Sequence, residues 1–277
     1  MSAAALPYTT LILLAELAFG SLVVVTVFDA RSMVTRGYVQ MGALVVGPTL
    51  LLAFFLARSL QPGVEVDGYT LNSGSFTPFR IVLIAFLAVS VAHGFAAFAG
   101  HRGASVGLGV AGSLVGLVAV ALLAAVVSPP AWSYIGVLVS MLAGAFALGG
   151  SLMAMSWGHW YLTESGLPKE PLEQMSLLVC AALVLQLAFL VLGVAFPPRE
   201  LPLGEAGFGV ALLANPAFWL RVGVGIVFPF ALAALAWKAA TIRGMMSATG
   251  LLYIALGLIL AGEVLARGLL FTTGAAV

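Results

Sequence analysis

Of the chain's 277 residues, 62% are hydrophobic and only 8% are charged, against about 25% charged in a soluble domain, so lipid must solvate much of its surface. Lys plus Arg number 11 and Asp plus Glu 10, a balance that points to neither nucleic acid nor acidic partners. The single cysteine, Cys180, excludes an internal disulfide, a CxxC redox pair and a self-contained cysteine-ligated iron–sulfur cluster.

About 20 consecutive apolar residues are needed to cross a hydrocarbon core, and eight such stretches follow one another along residues 1–277, read as a single transmembrane domain. The run from Met1 to Leu6 has no basic residue and does not read as a cleaved signal peptide. Helix 1 is placed at Tyr8–Phe28, helix 2 at Tyr38–Ala57 and helix 3 at Arg80–Ala99. Helix 4 spans Ala104–Val127 and stops at Ser128-Pro129-Pro130; helix 5 runs from Trp132 to about Tyr161. Helices 6, 7 and 8 fall at Met175–Phe196, Pro216–Ala239 and Met246–Phe271. Cys180, inside helix 6, reads as a small hydrophobe. Three connections have substance: Gln61–Thr77, turn-rich with Gly68-Tyr69 and Ser73-Gly74-Ser75; Thr163–Gln174, with Pro168 and Pro171; and Pro197–Gly209. None is long enough for a separate domain. The fold class is an all-α polytopic helical bundle, and eight helices divide naturally into two groups of four, although no internal sequence repeat is evident.

Short-loop cations set orientation. Arg31, Arg36, Arg102, Lys169, Lys238 and Arg243 all fall on one side, which is expected to be cytoplasmic, with both termini outside. The other side carries Arg199 in a loop and Arg58, Arg80, Arg221 and Arg267 at helix ends. Trp157, Trp160 and Tyr161 are then expected as an aromatic anchor at the cytoplasmic interface, with Trp132 and Trp219 at the outer one. Gly103, Gly107, Gly112 and Gly116 on helix 4, and Ala143, Ala147 and Ser151 on helix 5, have the small-xxx-small spacing that lets backbones approach. Gly47-Pro48 and Pro229 are expected to kink helices 2 and 7.

Ionisable groups inside the spans carry the most information, because each costs about 2.5–3.5 kcal/mol at a helix centre. Glu16 and Glu263 both lie roughly 12 Å below a helix end on the outer side, at 1.5 Å per residue. Arg80 and Arg221 begin helices 3 and 7 near that level, and Arg267 follows Glu263 by four residues, on the same helix face. These charges either pin the bundle together or line a pocket for a quinone head group, whose oxidation needs hydrogen-bond partners and a carboxylate or imidazole to accept protons. Glu16 has no partner in its own helix, so its partner must come from another. His93 and His159 lean toward the cytoplasmic side, but at mismatched depths, which argues against a haem b held between them. No His or Cys pair has metal-ligand spacing. His159 reads as an interfacial anchor or a proton exit.

The stretch Leu260-Ala261-Gly262-Glu263-Val264-Leu265-Ala266-Arg267-Gly268-Leu269-Leu270-Phe271 resembles the last helix of the membrane-anchor subunits of DMSO-reductase-type molybdoenzymes and of the broader polysulfide-reductase and nitrite-reductase-associated anchors. There an Ala-Gly-Glu is followed by an apolar spacer, Arg-Gly and an aromatic. Phe218-Trp219-Leu220-Arg221 looks like the opening of the preceding family helix, and helix 1 with Glu16 and Gly20 is similar more loosely. The resemblance implies a quinone-interacting subunit in a bacterial-type inner membrane, passing electrons between quinol and an iron–sulfur partner beside a molybdenum-containing catalytic subunit. It carries over Glu263, Arg267 and Arg221 to the quinone pocket or its frame. The family's His near the outer end of helix 2 has no counterpart in Phe55–Gln61, where Arg58 stands, and arginine cannot cycle a proton near neutral pH. A structural or assembly subunit is the alternative of another class. A transporter fits less well, since no inverted repeat or matched pair of broken helices is evident.

Overall fold

The computed structural model describes residues 3–61, 65–164, 166–196, 198 and 212–277. Its eight long apolar helices correspond one to one with the expected spans: α1 Ala5–Ala30, α2 Arg36–Ser59, α3 Ser73–Ala99, α4 Arg102–Val127, α5 Tyr134–Thr163, α6 Glu170–Ala195, α7 Pro216–Thr241 and α8 Met245–Thr273. Length and apolarity make the chain a multi-pass membrane protein in contact with lipid. Large side chains such as Phe95, Leu114, Val191 and Ile254 face outward, as lipid-facing helices require. Arg199 and nearly all of the Pro197–Gly209 connection lie outside the described residues.

The helices pack as two rings of four. In the first, α1 touches α2 and α4, and α3 lies between those two; in the second, α5 touches α6 and α8, with α7 closing the circuit. The rings join chiefly along α1 and α5. The reason is steric. A methyl group at Gly20 would overlap the Ala145 carbonyl, and one at Gly149 would lie 2.7 Å from Gly20 Cα, so here backbone rests on backbone.

Several helices begin earlier than apolarity alone implies. Ser73-Gly74-Ser75 is the first turn of α3 rather than part of a loop, because the Asn72 side chain accepts the Gly74 N–H at 3.1 Å and caps the helix. Ahead of it, Glu65–Val66 and Tyr69–Thr70 form a small antiparallel hairpin turned by Asp67 and Gly68, both at positive φ. Pro171 sits in the first turn of α6, where its missing N–H is no loss. In α7, Gly223–Val227 is a π-helical turn in which the Phe228 N–H reaches back to the Gly223 carbonyl. Pro229 follows directly, unable to donate, and the widened turn takes up the register it disturbs.

Two packing expectations are corrected. Gly103 and Gly107 face open space, whereas Gly109, Gly112 and Gly116 make the close contacts of α4, so equal spacing did not mark the packed face. Trp157 is no interfacial anchor: it is fully buried, edge-on to Tyr38 at 5.1 Å, and its Nε1–H donates to the Pro168 carbonyl at 3.3 Å. Trp219, by contrast, is 60% exposed.

Both described chain ends lie on one face, termed the terminal face; the loops with Arg31, Arg36, Arg102 and Lys169 form the opposite, basic face. The cations there bind the carbonyl ends of helices. Arg36 donates to Ala97 O at 3.1 Å and Phe98 O at 2.6 Å, closing α3; Lys169 donates to Thr241 O at 2.6 Å, closing α7. Arg102 donates to the Asp29 carbonyl and pairs with its carboxylate at 3.2 Å, closing α1. Four exposed carbonyls and a negative dipole end at each helix C-terminus account for the attraction. Gly100 ends α3 at φ 84°, and a methyl group there would meet Arg36 Nη1 at 2.6 Å. Gly100→Ala should therefore cost about 1–2 kcal/mol from the left-handed backbone alone, read as earlier unfolding in a denaturing-detergent titration.

Candidate functional site

Four helices bring polar side chains to one point inside the second ring, in the half nearer the terminal face. Arg267 and Glu263 lie one turn apart on α8 and pair at 3.0 Å, as their spacing of four predicts. Arg267 also reaches across to Glu16 on α1 at 2.6 Å, which supplies the partner that Glu16 lacks in its own helix. The other Glu263 oxygen receives Arg221 of α7 at 3.1 Å and the Gln186 amide of α6 at 2.6 Å. Each of the four charged residues is at most 1% exposed. Two carboxylates balance two guanidinium groups, the only arrangement in which such a buried set is affordable.

Glycines make room for this cluster. A methyl group at Gly144 of α5 would lie 2.7 Å from Glu263 Oε2, and one at Gly262 would lie 3.0 Å from Arg221 Nη1. Gly225, in the π-turn, packs against Gly262 so closely that α7 and α8 also touch backbone to backbone. Arg221 is therefore set immediately before the irregular turn, where α7 comes nearest to α8.

The hydrogen bonds do not exhaust the cluster. Among the described residues, Glu16 Oε2, Gln186 Oε1, Arg221 Nε and Nη1, and Arg267 Nε are buried without a protein partner. Acceptors and donors thus both remain, side by side. Toward the terminal face, α6 leaves α7: it lies along the second half of that helix and hardly meets its first turns. There Leu190, Phe218, Ile226 and Leu269 form a buried apolar cluster with Ala275 and Val277.

The remaining candidates lie elsewhere. Arg80 does not join the carboxylates; its Nε donates to Ala57 O at 2.9 Å and its Nη2 to Leu60 O, so it closes α2, and its guanidinium lies 4.5 Å from the Phe76 ring centre. A helix end with free carbonyls was nearer than any carboxylate. Arg58 shares with Arg80 a cleft of about 260 Å³ between α2 and α3, lined otherwise by Phe54, Ala57, Leu83 and Ile84. His93 is buried on α3 against Ser105 of α4, whereas exposed His159 on α5 lies 3.5 Å from the Tyr253 hydroxyl of α8. The two imidazoles face different neighbours. Among the described residues no three His, Cys, Asp or Glu side chains gather as a metal site.

Gln186 went unnoticed in the sequence, although a lone amide within the apolar run of α6 was the available signal. Gly144 and Gly225 were also missed, although Gly136, Ser140 and Gly144 on α5 follow one another at a spacing of four and offered a signal for the first of them. Compared with known proteins, the chain matches no protein-family model, and no curated protein matches it significantly.

Proposed function

We propose that the protein is a quinone-interacting membrane subunit of an oxidoreductase complex, in which the Glu16–Arg267–Glu263–Arg221–Gln186 cluster handles the protons of the quinone head group. The observation that carries this reading is the unspent hydrogen-bonding capacity of the cluster. Buried polar atoms are nearly always paired, yet here acceptors and charged donors are left open together. A quinone offers two carbonyl oxygens to such donors, and its quinol two hydroxyls to such acceptors. Glu16 Oε2 is the natural proton acceptor, because Glu263 is held on both oxygens by Arg221, Arg267 and Gln186. Between α6 and the first turns of α7 the packing is apolar, through Leu190, Phe218, Ile226 and Leu269, so a quinone arriving from lipid would have to displace these side chains.

In this reading the basic face is cytoplasmic and the terminal face outside, in a bacterial-type inner membrane. Oxidation of one quinol releases two protons and two electrons. Glu16 takes the two protons in turn and passes each toward the terminal side, and the two electrons pass to an iron–sulfur partner docked on that side. Arg221 and Arg267 hold the developing anion.

Glu16→Gln keeps the hydrogen bond from Arg267 and removes the proton acceptor. Quinol-dependent turnover of the assembled complex should fall by about 10²-fold or more, with the variant still assembled and its KM for quinol little changed. Unaltered turnover in assembled Glu16→Gln would refute the catalytic role. Extraction of quinone from the purified native complex supplies an independent check.

A second reading, a purely structural clamp within a membrane complex, is favoured by the glycines that close tightly around the charges. It predicts that Glu16→Gln lowers stability and turnover together, and that no quinone co-purifies.

A further inference from the structure

The first ring holds a second set of buried polar atoms, remote from the charged cluster. His93 of α3 is 1% exposed, and its Nδ1 lies 2.9 Å from the Ser105 carbonyl of α4. A carbonyl oxygen only accepts, so the Nδ1–H donates and the neutral ring carries its lone pair on Nε2. That Nε2 is buried without a protein partner, as are Ser90 Oγ on α3 and Thr26 Oγ1 on α1. Ser90 and Thr26 are each 3% exposed.

These atoms share one seam. Ser105, Gly109, Gly112 and Gly116 lie along one face of α4. Thr26 packs on Gly109, with its Cβ 3.2 Å from where a methyl group would stand; Ser90 Oγ is 3.8 Å from the same position at Gly112. At the basic face the seam's first residue, Ser105, also lines a cavity of about 210 Å³ with Asp29, Arg36, Gly100 and Arg102. Ser105 thus both borders the cavity and holds the imidazole. In the other direction the seam is shut by aromatic rings, since Phe86 Cζ and Phe19 Cδ2 come within 2.8 and 2.9 Å of a methyl position at Gly116. Glu16 lies beyond that plug, one turn past Phe19 on α1.

We propose that this seam is a hydrated half-channel that connects the aqueous phase at the basic face to His93 and ends at Ser90, below the Phe19–Phe86 plug. An unpaired imidazole nitrogen and two unpaired hydroxyls within a membrane span are costly unless water completes them. Buried water takes two to four polar partners, and Nε2, Ser90 Oγ and Thr26 Oγ1 provide such a set. An excess proton entering from the aqueous phase at the basic face can be relayed by that water to Nε2 and returned by the same route, while Nδ1–H stays on Ser105 O. Around the mouth stand Asp29 of α1, Arg36 of α2 and Arg102 of α4; of these, Asp29 and Arg102 neutralise each other. The aromatic plug restricts the exchange to one side of the membrane. None of this depends on quinone binding at the charged cluster.

Substituted cysteines test the route in a Cys180→Ser background. In oriented proteoliposomes, Thr26→Cys and Ser90→Cys should react with a small cationic methanethiosulfonate added at the basic face, within about tenfold of the rate at Ser105→Cys, because thiolate access governs reactivity. Neither should react from the terminal face, and Val120→Cys, in the apolar core beyond the plug, should not react from either. Reaction at Ser105→Cys alone overturns the half-channel, as does equal labelling from both faces. Infrared difference spectroscopy on the unaltered protein covers the case where the cysteine variants do not fold. The imidazole band lost in His93→Gln should shift promptly on transfer to D2O, and a band that resists exchange overturns the proposal.

Discussion

Glu263→Gln is expected to lower stability by about 3–5 kcal/mol, the cost of leaving a buried charge without its partner. Glu263 is the hub of the cluster: Arg221 at 3.1 Å, Arg267 at 3.0 Å and Gln186 at 2.6 Å all donate to it. Glutamine keeps the shape but removes a charge and turns an –NH2 group toward a guanidinium. The cluster would then hold two cations against Glu16 alone, each buried within the bundle. Its three partners come from α6, α7 and α8, so the loss loosens the whole second ring rather than one contact. The measurement is unfolding by denaturing detergent in mixed micelles. Combining Glu263→Gln with Arg221→Gln restores neutrality and should recover a large part of the loss, as expected of residues in direct contact. Additive damage in the double variant, or a single-variant cost under about 1 kcal/mol, would show that these charges are not coupled as the geometry requires.

The features that could be read from the chain and those that could not differ in physical kind. Eight spans were legible because length and apolarity alone decide whether a helix crosses a bilayer. The Glu263–Arg267 pair was legible because a spacing of four fixes two side chains on one helix face whatever surrounds them. The meeting of Glu16 with Arg267 was foreshadowed only as a matched depth, since depth is counted along the chain but azimuth is not. Azimuth explains the errors too. Gly103 and Gly107 have the right spacing on the wrong face, and Trp157 stands at an interfacial depth while pointing inward. Arg80 has the expected depth, but the free carbonyls of α2 claimed it. The π-turn at Gly223–Val227 holds both glycines of α7, just before Pro229, but glycine and proline mark a place where a helix can deform without fixing the form the deformation takes.

The same cations complicate the reading of orientation. Arg36, Arg102 and Lys169 satisfy the rule for cytoplasmic loops, yet each also closes a helix whose C-terminus lies on that face. Arg80 does so at the opposite face. Four helices end on each face, so capping can hold cations at either one, and Arg36, Arg102 and Lys169 are accounted for on the basic face without reference to topology. Arg31, which donates instead to Gln174 Oε1 at 2.7 Å, binds no helix end and is the better topological marker. Moving that single charge, by Arg31→Gln with Lys added before α1, should shift the fraction of chains inserted in either sense more than Arg36→Gln does. Protease or thiol accessibility at the termini would read the outcome.

Gly149→Ala is expected to be as disruptive as the loss of Glu263, although it adds only one carbon. At the crossing of α1 and α5, a methyl group on Gly149 would lie 2.7 Å from Gly20 Cα and would overlap the Gly20 carbonyl carbon and the Ser21 nitrogen. The obstacles are backbone atoms, which cannot rotate aside, so the two helices must separate. Inserting a carbon into a filled core costs about 1–3 kcal/mol where side chains can yield, and the upper end or beyond applies where they cannot. Gly47, Gly107, Gly250 and Gly257 lie in helices with nothing within 4 Å of the added carbon, and alanine there should be neutral or stabilising by up to about 1 kcal/mol. This contrast separates close approach from helix propensity within one protein. Separation of α1 from α5 also carries Glu16, one turn from Gly20, away from its 2.6 Å contact with Arg267. Gly149→Ala should therefore weaken the junction of the rings and uncouple Glu16 in the same step. Gly149→Ala and Glu16→Gln combined should cost less than the sum of the two, and full additivity would mean that the α1–α5 crossing does not position the cluster.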